Sequence, residues 1–112
     1  MESIEMNNIN KREERLNKVK HIVCSLFKGR KVDIYLIGSW AKGEEKRTSD
    51  IDIGIICHEL LEEGFIAGII EELEQTDIPY RIELVDLTEM NEDKRNAFLK
   101  GAVKWKDSSN GY

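Results

Sequence analysis

The strongest constraint in the sequence is an alternation of acidic and apolar residues over residues 50–57, DIDIGIIC. Side chains along a strand point alternately to opposite faces, so this segment predicts a strand with its isoleucines at odd positions on a buried face. Asp50 and Asp52 then lie together on the other face. Two neighbouring carboxylates repel each other, and a hard divalent cation such as Mg²⁺ removes that conflict. The pattern is also common, and two acids at the start of a strand can simply be solvated.

Apolar periodicity places the other elements around this strand. It predicts a helix from about Ile9 to Phe27, a strand from Val32 to Ile37, a helix from Phe65 to Leu73, a strand from Tyr80 to Leu87 and a helix from Asn91 to Trp105. Gly29 falls where the first helix should be capped. The order helix, strand, strand, helix, strand, helix indicates an α+β domain with a small mixed β-sheet flanked by helices. Strand order does not follow from the pattern.

Length and composition limit the classes of protein to consider. The 112 residues are expected to form a single domain, 1–112, with residues 1–8 and 107–112 as flexible ends. A net charge of -5 argues against broad nucleic-acid binding, which needs a basic surface. No apolar run approaches the roughly 20 residues that span a membrane. Residues 1–15 are polar, unlike a secretory signal, so we expect a cytoplasmic protein that does not associate with membranes.

A second feature follows the strand that ends at Ile37. Gly38 lets the backbone approach a phosphate, and the N–H groups at a helix start bind anions. The hydroxyl of Ser39 can donate to a phosphate oxygen. Lys42, Lys46 and Arg47 are nearby cations, although at least one of them is expected to be a solvated loop residue. The candidate nucleotide-binding residues are Gly38, Ser39, Lys42 and Ser49.

The strand predicted over residues 80–87 offers a third carboxylate, Glu83. Its neighbours Ile82 and Leu84 share the opposite face, and a charged residue between them is costly to bury unpaired. Glu83 should therefore face solvent, an ion pair or a site. On a strand adjacent to the two aspartates it would complete a three-acid metal cluster. Asp86 lies on the opposite face from Glu83 and is expected to serve a turn or a helix cap.

Taken in order, these motifs resemble the polymerase β-like nucleotidyltransferases. Their pattern is Gly-Ser, ten intervening residues and then Asp-x-Asp, as in residues 38–52 here. The stretch GSWAKGEEKRTSDIDIGI is most similar to the minimal nucleotidyltransferases, the small prokaryotic branch. The stretch DIPYRIELVDL resembles their third-carboxylate strand. The resemblance covers about residues 32–104 and implies a polymerase β-like nucleotidyltransferase fold.

The resemblance also implies a role for each matched position. Asp50, Asp52 and Glu83 would be the catalytic and metal-binding residues, with Glu83 as a third ligand or as the general base. Two Mg²⁺ ions would be the cofactors, and ATP or another nucleoside triphosphate the substrate. Two departures stand out: relatives often carry arginine where this chain has Trp40, which removes a phosphate contact, and their third acid is often aspartate.

The implied reaction is transfer of a nucleoside monophosphate, most simply AMP from ATP, to a hydroxyl acceptor. Minimal members commonly work with a separately encoded helical partner, and in some toxin–antitoxin pairs the acceptor is a tyrosine of a HEPN-type ribonuclease. A HEPN-like or other substrate-binding protein is thus the expected partner, and self-association stays open. Two alternatives remain: a non-catalytic nucleotide-binding module that neutralises its partner by occlusion, and a transferase for a small molecule. Phe98 and Trp105 are equally well a docking surface or ordinary core.

Overall fold

The computed structural model describes residues 4–109, with side chains described from residue 11 onwards. The elements in chain order are α1 (Ile4–Leu26), β1 (Val32–Ile37), α2 (Gly38–Lys42), β2 (Ile51–Cys57), α3 (Phe65–Glu74), β3 (Ile82–Asp86), α4 (Glu92–Leu99) and β4 (Val103–Lys106). The strands form one four-stranded sheet in the order β3-β2-β1-β4. β1 is antiparallel to β2 and β4, while β2 and β3 are parallel. This mixed sheet with helices confirms the predicted α+β class.

The core lies between one face of the sheet and the helices α1 and α3. The apolar side chains that the two central strands bury on this face are Val32, Ile34, Leu36, Ile51, Ile53 and Ile55. Helix α1 contributes Leu16, Val19 and Val23, and α3 contributes Ile69 and Leu73. The alternation predicted for β2 is therefore present, with its isoleucines in the core. Because side chains alternate along a strand, the even-numbered residues of β2 lie on the opposite face.

The prediction of a last helix from Asn91 to Trp105 is wrong in its second half. Helix α4 ends at Leu99, Gly101 has a φ of +77°, and the chain then forms β4 beside β1. The apolar spacing imitates a helix, but a left-handed glycine interrupts it and the alternating segment VKWK follows. Trp105 packs in the core, 9% exposed, whereas Phe98 is 37% exposed. Trp105 is thus a core residue.

The other predicted elements agree with the structure to within a few residues. α1 begins at Ile4 rather than Ile9, and Gly29 has the left-handed φ of +79° expected after a helix. β2 starts one residue after Asp50. None of the helices between residues 4 and 109 is long and apolar enough to cross a membrane.

Contacts to Asp33 fasten the segment after β4 to the sheet. One carboxylate oxygen accepts a hydrogen bond from the backbone N–H of Ser108 at 2.6 Å, and the other accepts one from Nε2 of His58 at 2.8 Å. Burial alone would raise the pKa of Asp33, but the hydrogen bonds from His58 and Ser108 outweigh it, so the pKa is lowered. The ammonium of Lys106 adds hydrogen bonds to the carbonyls of Arg30 and Val32.

Candidate active site

The three predicted carboxylates approach one another at the β2–β3 pair. The parallel register of these strands pairs Asp52 directly with Glu83. Asp50 lies immediately before β2 and is half-buried, as is Asp52, whereas Glu83 is exposed. Burial raises the pKa of Asp52, and the negative charges of Glu83 and Asp50 raise it further. The fold therefore brings the three acids into one electrostatic cluster.

The cluster is not a closed metal site formed by protein ligands alone. Across residues 4–109, no three histidine, cysteine or acidic side chains converge closely enough to hold a metal ion. Mg²⁺ commonly takes one or two protein carboxylates and completes its octahedron with phosphate oxygens and water. The donor set thus fits Mg²⁺ that arrives with a nucleoside triphosphate. It does not fit a structural metal such as zinc, which needs four protein ligands.

Gly38 brings the Gly-Ser pair into contact with the Asp-x-Asp motif. Its φ of +73° is a left-handed conformation that glycine adopts without steric cost. A Cβ at this position would lie 2.6 Å from Oδ2 of Asp52. The preceding residue, Ile37, ends β1 and pairs with Asp52. Both the backbone conformation and the available space therefore require glycine beside the carboxylates.

The Gly-Ser pair opens the short helix α2, which ends at Lys42 and is capped by Gly43. The carbonyl of Ser39 accepts hydrogen bonds from the backbone N–H groups of Gly43 and Glu44. Gly43 adopts a left-handed φ of +71°, but a Cβ there would meet nothing within 4 Å. The side chain of Ser39 is half-buried, and Ser39 directly follows Gly38, which contacts Asp52. Its position is compatible with the predicted phosphate contact.

Trp40, at the position where the family resemblance leads us to expect arginine, has its side chain in the core. It is 3% exposed and packs edge to face against Tyr80, with ring centroids 5.0 Å apart. Its indole Nε1 donates a hydrogen bond to the carbonyl of Ser49 at 3.3 Å. The bond joins the residue after the Gly-Ser pair to the residue before Asp50. Motif spacing does not reveal this role, because it says nothing about where the indole packs.

Arg12 on α1 secures the same loop. Its guanidinium donates to the carbonyl of Trp40 at 2.6 Å and to both carboxylate oxygens of Glu45, at 2.6 and 3.1 Å. The hydrogen bond with Glu45 raises the pKa of Arg12 despite partial burial, and the same bond lowers the pKa of Glu45. Arg12 and Glu45 are 33 residues apart, so no local pattern in the sequence predicts their contact.

The remaining predicted nucleotide-binding residues, Lys42 and Ser49, have different surroundings. The hydroxyl of Ser49 accepts a hydrogen bond from the backbone N–H of Lys46 at 2.9 Å, so it closes a turn before the acidic motif. Lys42 is exposed, but its aliphatic stem packs over Gly101, where a Cβ would lie 3.2 Å from its Cγ. Lys46 and Arg47 are exposed, as the solvated-loop interpretation expects. The contact with Gly101 orients the stem of Lys42.

The end of β3 is fixed by Arg95, a residue that the sequence patterns did not indicate. Its guanidinium donates to the carbonyls of the following turn, Leu87, Thr88 and Met90, at 3.1, 2.7 and 3.2 Å. Oδ1 of Asp86 accepts from the backbone N–H of Thr88 at 3.0 Å, which confirms its predicted role in a turn. These bonds hold the strand that carries Glu83.

Comparison with known sequences identifies a common domain. The family described as "Nucleotidyltransferase domain" matches residues 16–106, which include all of the candidate site. A protein of Haemophilus influenzae named "Probable protein adenylyltransferase MntA" is 34% identical over 91 residues. That alignment covers 80% of this chain and 76% of the relative.

Solved structures with the same architecture agree with this relationship. A crystal structure of a toxin–antitoxin with AMP-PNP has a TM-score of 0.60 and 22% identity, covering 79% of this chain and 73% of that chain. A mutant of the toxin–antitoxin MntA-HpeT has a TM-score of 0.60 and 20% identity, covering 81% and 72% of the two chains. At these identities the likeness establishes the shared fold.

Proposed function

The chain belongs to the nucleotidyltransferase domain family, and from that premise we propose that it transfers AMP from ATP to a hydroxyl group of a partner protein. The observation that carries the proposal is the register that pairs Asp52 with Glu83, together with the backbone of Gly38 beside Asp52. Carboxylates suited to a cation and a backbone suited to a phosphate thus occupy one small area.

The carboxylates are the proposed Mg²⁺ ligands. Asp50, Asp52 and Glu83 would hold the metal, with two ions as the family resemblance implies. When bound, Mg²⁺ supplies neutralisation of the leaving pyrophosphate and lowers the pKa of the attacking hydroxyl. The negative charges of these carboxylates repel one another in the metal-free protein, and a bound cation would neutralise them.

The Gly-Ser turn and one lysine are the proposed triphosphate ligands. The backbone of Gly38 and the hydroxyl of Ser39 would bind phosphate oxygens, and the supported stem of Lys42 would present its ammonium to them. Ser49 is proposed to act through the turn that it closes with Lys46, which places the loop against the nucleotide.

Glu83 is the proposed acceptor of the proton. The acceptor oxygen attacks the α-phosphorus, the bond between that phosphorus and the bridging oxygen breaks, and pyrophosphate leaves. The hydroxyl proton passes to Glu83, the one exposed carboxylate of the three, because an incoming acceptor can reach it. The remaining rate acceleration comes from positioning and from charge stabilisation.

A separately encoded protein is the proposed acceptor. The 34% identical relative is named a probable protein adenylyltransferase, and two structures with the same fold are toxin–antitoxin proteins. We take the partner to be the helical, HEPN-like type that the family resemblance implies. Both cysteines of this chain are free thiols, which suits the reducing cytoplasm in which we place the reaction.

The proposal is tested by the intact mass of the partner. The purified chain is mixed with Mg²⁺, ATP and the helical protein encoded beside it, and a gain of whole AMP units is expected. Asp50→Asn and Asp52→Asn should abolish the gain. Glu89→Gln, a neutralisation of an exposed acid outside the cluster, should leave it unchanged. A stable complex that gains no nucleotide from any of the four nucleoside triphosphates would replace this proposal with the occlusion alternative.

A further inference from the structure

A groove of about 370 Å³ runs between α3 and β3. Its apolar lining consists of Ile70, Leu73, Ile78, Ile82 and Leu84. Ile70 is 40% exposed in it, so a large apolar side chain on α3 meets solvent beside an edge of the sheet. Exposed apolar surface with a polar rim is typical of a binding groove rather than of a free surface.

The strand that borders this groove has a free edge. β3 pairs with β2 on one side, and no other strand within residues 4–109 pairs with its outer side. The outward backbone N–H and C=O groups of an edge strand can pair with an extended peptide, whose alternate side chains then enter an adjoining groove. The local architecture therefore favours an extended polypeptide as the occupant.

The groove borders the strand that carries Glu83, although the side chain of Glu83 lies on the face of β3 opposite to Ile82 and Leu84. Glu83 lines the groove and also pairs in register with Asp52. A segment that pairs with the outer edge of β3 has side chains on both faces of the sheet, so those that do not enter the groove lie on the face of Glu83, to which we assign the acceptor proton. A polypeptide bound here would thus carry one of its own hydroxyl groups to the reaction site.

The charge of the surrounding surface specifies the occupant further. Residues 58–80 contain seven of the 22 acidic residues and none of the 17 basic ones, and three of the seven, Glu59, Glu62 and Asp77, form ion pairs with Arg30 or Lys18. Ile70, Glu71 and Glu74 share one exposed stripe of α3, since helix positions three and four apart are neighbours. Neither glutamate forms an ion pair within the described side chains. Among the residues that the structure describes, Arg81 is the one basic residue that lines the groove.

From these observations we propose that the α3–β3 groove is the docking site of the acceptor protein, and that it binds an extended, basic segment with alternating apolar side chains. The proposal rests on the proposed function, since it names the surface that receives the protein acceptor. Acidic side chains around the groove attract lysine and arginine and repel phosphate, so the nucleotide and the acceptor segment enter from different sides.

Binding is measured without nucleotide, by fluorescence anisotropy of two labelled peptides. One alternates lysine and valine around a central tyrosine, and the other has glutamate in place of each lysine. The lysine peptide should bind at least about tenfold more tightly than the glutamate peptide, and less tightly as NaCl is raised. The double variant Glu71→Lys/Glu74→Lys should weaken binding of the lysine peptide about tenfold or more. Glu89→Lys, a charge reversal at an exposed acid away from the groove, should leave it unchanged.

A second variant addresses the apolar part of the groove. Ile70→Ala removes an exposed apolar side chain without changing charge. It should weaken binding of the lysine peptide about threefold to tenfold. Thermal melting of each variant checks that the fold is retained. The proposal is overturned if the two peptides bind equally, or if the Glu71/Glu74 double variant binds like the wild type. It is also overturned if sedimentation shows that the chain dimerises through this groove, because a second copy is then the occupant.

The result separates this proposal from the proposed function. Peptide binding that depends on the groove, with no AMP transfer to any protein, would retain the docking site and reject the enzymatic proposal. AMP transfer to the partner that is unaffected by Glu71→Lys/Glu74→Lys would retain the enzyme and reject the docking site. If the docking site and the AMP transfer are both correct, the Glu71/Glu74 double variant should raise the KM for the partner protein and leave the KM for ATP unchanged.

Discussion

The indole of Trp40 donates a hydrogen bond to the main-chain carbonyl of Ser49 across 3.3 Å. This bond spans the loop between the Gly-Ser pair and the two aspartates, and the ring itself is buried against Tyr80. Trp40 therefore connects the Gly-Ser pair with the Asp-x-Asp motif from within the core. Its contribution is to the position of Asp50 rather than to charge at the phosphates.

Trp40→Phe tests this connection, because it retains an aromatic ring and removes the N–H donor. The free energy of unfolding should fall by about 1 kcal/mol, as expected for one lost hydrogen bond. The kcat for AMP transfer should fall about tenfold, because the loop before Asp50 is less well positioned. Urea denaturation and initial rates at saturating ATP measure the two effects. Trp105→Phe is the matched control in the same core; a similar loss of kcat there would show that the effect of Trp40→Phe is only one of packing.

Gly38→Ala tests the contact between the Gly-Ser turn and Asp52. The substitution places a Cβ 2.6 Å from Oδ2 of Asp52 and also imposes a left-handed φ on alanine. Gly43→Ala has nearly the same φ but meets nothing within 4 Å, so it reports the backbone cost alone. We expect about 1 kcal/mol of destabilisation for Gly43→Ala and about 1–3 kcal/mol more for Gly38→Ala.

The same pair of variants separates stability from activity. Gly38→Ala should displace the Asp52 carboxylate and abolish AMP transfer even below its melting temperature, whereas Gly43→Ala should keep most of the activity. Thermal melting and initial rates measured on the same preparations provide the comparison. Equal losses in the two variants would mean that backbone strain, and not the contact with Asp52, explains the requirement for glycine at position 38.

The sequence was sufficient to predict the class of fold, because the class depends on local patterns, and the same patterns indicate the residues of the candidate site, whose roles stay predictions. Alternation in residues 50–57 places the isoleucines of β2 in the core and the aspartates on the other face. The same rule applied to β3 selects Glu83 rather than Asp86. Strand order did not follow from these patterns, because pairing between strands depends on contacts distant in the chain.

The features that the sequence did not reveal are those made by side chains reaching across the fold. The apolar spacing of β4 also fits a helical turn, and the left-handed Gly101 and the pairing with β1 decide in favour of a strand. The hydrogen bonds of Arg12 with Glu45 and of Arg95 with the turn after β3 leave no pattern in the sequence. Both arginines hold backbone segments on which the carboxylate positions depend.

Asp52→Asn should stabilise the metal-free protein while it abolishes AMP transfer. Burial and the charges of Glu83 and Asp50 raise the pKa of Asp52, so its ionised form destabilises the fold at neutral pH. An uncharged amide removes that cost. Melting in EDTA at pH 7 should therefore occur at a higher temperature for the variant than for the wild type. The advantage should diminish as pH falls below the folded-state pKa, where Asp52 becomes protonated. A variant that melts lower in EDTA would contradict the repulsion between these carboxylates.

The contribution of Asp33 to stability should depend on pH in the opposite sense, because hydrogen bonds in the fold stabilise its ionised carboxylate. Hydrogen bonds from His58 and Ser108 outweigh burial and lower its pKa, so the stability it contributes is present above its unfolded value of 3.8. That contribution is lost as the pH falls through the lower pKa of the folded state. Asp33→Asn should cost about 1–3 kcal/mol at pH 7 and progressively less in acid.

Urea denaturation between pH 7 and pH 3 measures this difference, and hydrogen exchange at the amide of Ser108 reports release of the segment after β4. Asp77→Asn is the control, because the exposed Asp77–Lys18 pair at 2.8 Å should contribute no more than about 1 kcal/mol. If Asp33→Asn leaves the exchange rate of the Ser108 amide unchanged, the carboxylate of Asp33 does not hold the C-terminal segment. Faster exchange of the Ser108 amide in Asp33→Asn, but not in Asp77→Asn, would show that the buried charge of Asp33 holds the segment after β4 against the sheet.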